Sequence, residues 1–281
     1  MTPYRLNLLA LLTAIAVPTV PTIARTVVPL ATGSQGIEKI EAVVSGRRGT
    51  FLFDSGIGTS AVTPAVAEAI GCKPWGKVTG FRATGERLDL PRCNGARVAI
   101  GPTSTTLPQL SVIDLARFMG PQSAGLSGVL GLDTFAGQVV TLDVAHHQFA
   151  IEDAASLAEI RRTATEVPIR LVRDAEGAAL TVDVGVSTSS GMTWMELDTG
   201  NYGPSMVDKS IAGLFGLDAA SAALQQWRVP MPGSMAVSGP VVVKDLILDG
   251  NLGRNVLSHW LVTLDLAAGR GWIRTIAPQP T

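Results

Sequence analysis

One tripeptide pattern occurs twice in this chain of 281 residues, as Asp54-Ser55-Gly56 and Asp198-Thr199-Gly200. Each copy follows an apolar run, Phe51-Leu52-Phe53 or Trp194-Met195-Glu196-Leu197. Each precedes a second short stretch, Ser60-Ala61-Val62-Thr63 or Ser205-Met206-Val207-Asp208. At average composition such a tripeptide is expected only about 0.1–0.2 times in a chain of this length. The surroundings repeat as well. An alternating stretch lies upstream of each copy, Ile40–Val44 or Leu180–Val184, and is separated from it by a glycine-containing turn. Downstream, Val139-Val140-Thr141-Leu142-Asp143-Val144 recurs as Leu261-Val262-Thr263-Leu264-Asp265-Leu266. Self-similarity in the same order restricts the chain to two copies of one unit. Residues 25–152 and 166–281 are therefore expected to form two lobes. A polar, alanine-rich connector with a short surface helix joins them at 153–165.

The composition says what each unit is made of. Charged residues are 16% and apolar residues 46%, with 30 glycines and 17 prolines. Short strands joined by tight turns suit that balance, so the fold class expected is all-β. Thr63 and Asp208 are good N-caps for short helical stretches closed by Gly71 and Gly216. The net charge of −1, without any basic block, excludes the electrostatic footprint of a nucleic-acid binder.

The N-terminus reads as an export signal over 1–24. Arg5 gives a positive start, Leu8 to Val17 an apolar centre, and Pro18 and Pro21 end it before Ala24. About ten apolar residues are too few to span a bilayer. A periplasmic or secreted protein, with no stable membrane span after cleavage, is expected; an uncleaved anchor is the alternative. In an exported chain Cys72 and Cys93 read as one disulfide, with two buried thiols as the other reading. His146, His147 and His259 lie at no metal-ligand spacing to either cysteine, and no metal or other cofactor is expected.

Elimination narrows the chemistry. A serine triad lacks its Gly-x-Ser-x-Gly elbow and a histidine partner set, and both cysteines have a structural use. Carboxylates at the ends of apolar strands remain. An Asp after a buried strand must find hydrogen bonds, which the following hydroxyl and the backbone N–H groups of a glycine turn supply. Two such turns brought together place two carboxyls side by side. Like charges so close cannot both ionise, so the pair shares one proton.

These residues resemble the two active-site turns of the retropepsin-like and pepsin-like aspartic proteases, most closely the bacterial exported members. Gly128-Val129-Leu130-Gly131 resembles that family's apolar-apolar-glycine segment, which crosses beneath the active-site loop. Asn255-Val256-Leu257-Ser258 is read as its second copy. The resemblance runs from about residue 27 to 273. It implies a two-lobed pepsin-like fold with pseudo-twofold related lobes and a central cleft. It also implies catalytic roles for Asp54 and Asp198, with Ser55 and Thr199 cross-linking the loops and Gly56 and Gly200 letting them turn. A flap is implied too, for which Phe81 to Leu90, turning at Thr84-Gly85, is the best segment; a Cys72–Cys93 bond would tether its base. Two departures stand out: Ile57 and Asn201 occupy the positions after the glycines, where a small residue is usual. No tyrosine is available for the flap, since the only two are Tyr4 and Tyr202.

The expected activity is that of an aspartic endopeptidase, a monomer that hydrolyses peptide or protein substrates with water activated between the two aspartates. The rival reading is a catalytically inactive pepsin-like protein of the cell envelope that binds peptides in the same cleft. A structural β-barrel whose Asp turns are only hydrogen-bonded corners is a third.

Overall fold

A computed structural model describes residues 24–33 and 36–276. The expected export signal, apart from Ala24, lies outside the described residues. Among the described residues no helix is long and apolar enough to cross a membrane.

The strands form three sheets. One of eight strands is drawn from residues 31–130 and one of seven from residues 169–252. The third, of six strands, takes its strands from both halves of the chain. At its centre the repeated segments meet: Val139–Asp143 pairs antiparallel with Trp260–Asp265, with Thr141 opposite Thr263. Their hydroxyls are buried and hydrogen-bonded to each other at 2.8 Å. Each copy of the repeat thus supplies the partner for the other.

Period-two burial explains the outer strands. Along Glu38–Val44 every second residue is buried, among them Ile40, Ala42 and Val44. By contrast Phe51, Leu52 and Phe53 are all buried, because both faces of that strand are covered. Phe53 packs with Phe135 and Phe149 in the main core, which continues into the second half through Val182, Val184 and Leu197. Leu52 points to the opposite face, into a smaller cluster with Ile37, Ile113 and Val129.

The fold is predominantly β rather than purely so. Short α-helices occupy Pro64–Ala69, Leu115–Met119, Ala154–Thr163 and Arg254–Leu257. Thr63 caps the first of them, its hydroxyl accepting from the Val66 N–H at 3.4 Å. Asp208 does not cap a helix. It ends the strand Ser205–Asp208 and accepts instead from the N–H groups of Ser210 and Leu246. The helical turn closed by Gly216 begins only at Ala212.

Candidate functional site

Two parallel strand pairs position the aspartates. Phe53 lies beside Leu130 in one, and Leu197 beside Leu252 in the other. The ladders run one residue further: the Asp54 N–H donates to Leu130 O and the Asp198 N–H to Leu252 O, each at 3.0 Å. The second crossing segment is therefore Gly250-Asn251-Leu252-Gly253, not Asn255–Ser258 as the sequence suggested. The latter residues fall in the helix Arg254–Leu257 and its cap. Matching serines buttress both crossings: Ser60 Oγ accepts from the Gly131 N–H and Ser205 Oγ from the Gly253 N–H.

Beyond these strand ends the loops interlock. The Ser55 N–H donates to Thr199 Oγ1 at 3.0 Å, the Thr199 N–H donates to Ser55 Oγ at 2.9 Å, and Ser55 Oγ donates to Leu197 O at 2.6 Å. Both residues are buried. Gly56 faces Asp198 so closely that a Cβ there would stand 2.7 Å from the carboxyl carbon, and Gly200 crowds Asp54 in the same way. A side chain at either position would displace a carboxyl.

The two carboxyls are hydrogen-bonded to each other. Burial, then the neighbouring Asp198 charge, holds Asp54 well above the ordinary carboxylate range. Burial also raises Asp198, against the pull of Asn251 and the loop N–H groups. The pair therefore holds one proton between them, and its titration belongs to both carboxyls together. Asp198 has partners besides Asp54. The Gly200 N–H (2.8 Å) and Asn201 N–H (3.1 Å) reach its Oδ1, and Asn251 Nδ2 (2.7 Å) reaches its Oδ2. With the bond to Asp54, these engage the roughly four lone-pair sites a carboxylate offers.

Asn251 also binds a third acid that the sequence reading did not single out. Its Nδ2 donates to Glu196 Oε2 at 2.9 Å, while its Oδ1 accepts from Asn201 Nδ2 at 2.8 Å. Glu196 is held well above its ordinary range by burial and then by the Asp198 charge. Its signal in the sequence is an acid two residues before Asp198, on the same face of the strand. Ile57 packs with the smaller apolar cluster, beside Leu52, Leu90, Phe118, Met119 and Tyr202.

The segment proposed as a flap is a hairpin of Trp75–Phe81 and Arg87–Ile100. Its turn is closed by the Arg82 N–H bonding to Glu86 O, with Gly85 at φ 82°. Phe81 at the tip is exposed. The Ile247 N–H of the second half donates to Ala83 O at 2.9 Å, so the tip already bridges to the other half of the chain. Cys72 and Cys93 form a disulfide, with Cα atoms 5.8 Å apart, that ties the second hairpin strand to the segment after the first helix.

A further cluster joins the halves. Buried Glu38 pairs with Arg254 at 2.8 Å and with His147 Nδ1 at 3.0 Å, and its N–H donates to the Tyr202 hydroxyl at 3.0 Å. Burial pushes that phenol up to about 12. His147 is half-exposed, and its ring is held by Glu38. Among the described residues no group of three or more His, Cys, Asp or Glu side chains is arranged to hold a metal ion.

A family model described as "Aspartyl protease" matches residues 40–134, which carry the Asp54 loop, the hairpin and the first crossing segment. No curated protein matches the sequence. Solved structures share the fold along nearly the whole chain. Basic 7S globulin from soybean matches at 13% identity and TM-score 0.57, covering 91% of this chain and 96% of its own. The protein named edgp matches at 12% and 0.54, covering 91% and 95%. Conglutin gamma, described as a unique basic 7S globulin from lupine seeds, matches at 10% and 0.55, covering 90% and 95%. The fold is that of the pepsin-like, aspartic-protease superfamily.

The expectation of an aspartic endopeptidase, and of a hydrolase at all, is corrected here. Two of the structures that share the fold over nine-tenths of the chain are named as globulins. The fold therefore does not by itself bring hydrolysis with it.

Proposed function

We propose that this chain is a pepsin-like protein of the cell envelope that binds extended peptides between its two lobes without cutting them. The observation that carries this reading is the saturation of Asp198. A general base must keep a lone pair for the proton it takes from water. Asp198 accepts from Gly200, Asn201 and Asn251 and lies against Asp54, so its oxygens are already engaged. The role that fits Asp54 and Asp198 is to tie the loops together at the floor of the cleft. The hairpin over that floor supplies strand edges to which an extended backbone can add, a recurring mode of peptide recognition. An envelope location and a monomeric state rest on the export-like N-terminus and on the two repeats within one chain. The lack of a flap tyrosine favours the retropepsin-like branch of the superfamily.

Backbone amide exchange with and without a mixed library of extended decapeptides tests the proposal. Slower exchange along Val78–Leu90 in the presence of peptide, absent with N-methylated versions of the same peptides, is the expected result. Unchanged exchange at saturating peptide contradicts it.

A further inference from the structure

The two sides of the site differ in chemistry although the backbone repeats. Leu52 and Glu196 occupy matching positions, two residues before Asp54 and Asp198 on equivalent strands. On the first side Leu52 is buried, and around it Ile57, Leu90, Phe118, Met119 and Tyr202 form a partly exposed apolar wall. On the second side the matching side chain is a carboxyl, and the crossing residue beside it is Asn251 in place of Val129. One side offers hydrocarbon, the other charge.

Glu196 has no cation. Its Oε2 accepts from Asn251, while its Oε1 has no hydrogen-bond partner among the described residues and is not sealed from solvent. The charges that act on it most strongly are acids: Asp198, Asp183 on the neighbouring strand, and Asp54 across the loops. The arginine paired with the adjacent Asp183 is engaged there. Arg170 binds Asp183 at 2.7 Å and stacks over Trp194 at 5.1 Å. Of the other buried carboxyls, Glu38 pairs with Arg254 and Glu152 with Arg25, while Asp133 has no cation but is satisfied by Ser60 and Thr134 donors. Asp198 is saturated by donors, so Glu196 Oε1 is the acceptor of this site left open.

We propose that Glu196 sets the ligand preference of the cleft: the bound segment carries a lysine or arginine on the Asp198 side and an apolar residue on the Asp54 side. This rests on the peptide-binding reading and gives it a substrate class. A ligand cation beside Glu196 replaces the missing countercharge, and the bond it makes to an ionised acceptor is among the stronger ones available. Binding a cation favours the ionised carboxyl, which the empty site disfavours, so binding releases a proton. Affinity for a basic peptide therefore rises as pH increases from 5 to 8, and affinity for a neutral one does not.

Paired fluorescent decapeptides that differ only by lysine against norleucine, titrated into the full chain, test this. The lysine peptide is expected to bind at least about tenfold more tightly at pH 7. In Glu196→Gln the two are expected to bind alike. Equal affinities in the wild-type protein overturn the inference while leaving peptide binding standing, as does a lysine preference that survives in Glu196→Gln. If neither peptide binds, the peptide-binding reading itself fails and takes the inference with it. The wild-type comparison decides the matter even if the variant does not fold.

Discussion

Asp133 illustrates how single residues carry the repeat and then diverge from it. Its carboxyl accepts from Ser60 Oγ at 2.5 Å and from the Ser60 N–H at 2.7 Å. In the second half Asn255 takes the equivalent bond from Ser205 Oγ at 2.9 Å. Burial raises Asp133 from 3.8 to about 6, outweighing the Ser60 bonds. Asp54, Asp198, Glu196 and Asp183 are shifted in the same direction. An acid raised in the folded state binds more protons there than in the unfolded chain, so stability is highest near pH 4 and falls as pH rises through the folded value. The Asp133 contribution alone corresponds to a loss on the order of 3 kcal/mol between about pH 4 and pH 7. Thermal unfolding should therefore show a higher Tm at pH 5 than at pH 7.5. Asp133→Asn should flatten that slope while lowering Tm at pH 5, because the amide no longer accepts from both Ser60 groups. A Tm that climbs toward pH 7.5 would contradict the assignment. The two Asp-Ser/Thr-Gly turns were visible in the sequence because their side chains and glycines serve one local geometry. Glu196 was not, because an acid on a strand carries no local pattern; only the sheet places it beside Asp198.

At the scale of elements, the hairpin and the disulfide were legible for the same reason. Alternation, a Thr-Gly turn and two cysteines are all local signals. The second crossing segment was misplaced by five residues. Asn251 stands where the first copy has Val129, so the apolar pattern is broken, and Val256-Leu257 nearby mimics it. Asn251 is nonetheless buried, because its amide bonds to Glu196, Asp198 and Asn201. Hydrogen bonding replaces hydrophobicity at that position, which no reading by hydropathy detects. The disulfide closes a 21-residue separation and fixes the root of the hairpin. Cys72→Ser with Cys93→Ser is expected to cost about 3 kcal/mol. The loss should appear as a Tm decrease of several degrees, with amide exchange accelerating first along Trp75–Phe81 and Arg87–Cys93. Uniform acceleration across both halves of the chain would contradict the tether.

For the whole molecule, the shared six-stranded sheet, the interlocked Ser55 and Thr199, and the Glu38 cluster hold the two halves together. The family resemblance implied the Ser55–Thr199 lock, while the shared sheet was not read from the sequence, although its central strands are the repeated Val139–Asp143 and Leu261–Asp265 segments. Nor was the cluster, since Glu38, His147, Tyr202 and Arg254 are far apart in the chain and lie in no motif. Arg254→Ala leaves Glu38 buried with only His147 for a partner, and removing one member of a buried pair costs about 3–5 kcal/mol. Arg254→Met combined with Glu38→Gln should recover much of that loss, as measured by denaturant unfolding. A single variant as stable as the wild-type protein would remove the pair from the account. The export signal expected over 1–24 can be checked by N-terminal sequencing of the mature chain.

The central claim is that the paired aspartates hold the cleft together and bind without cutting. Its most direct test is to incubate the full chain with a mixed peptide library from pH 3 to 7 and examine the peptides by mass spectrometry. The account predicts that bound peptides are recovered intact at every pH, with the same result for Asp54→Asn and Asp198→Asn. New termini that appear with the wild-type protein and vanish in both variants would contradict it.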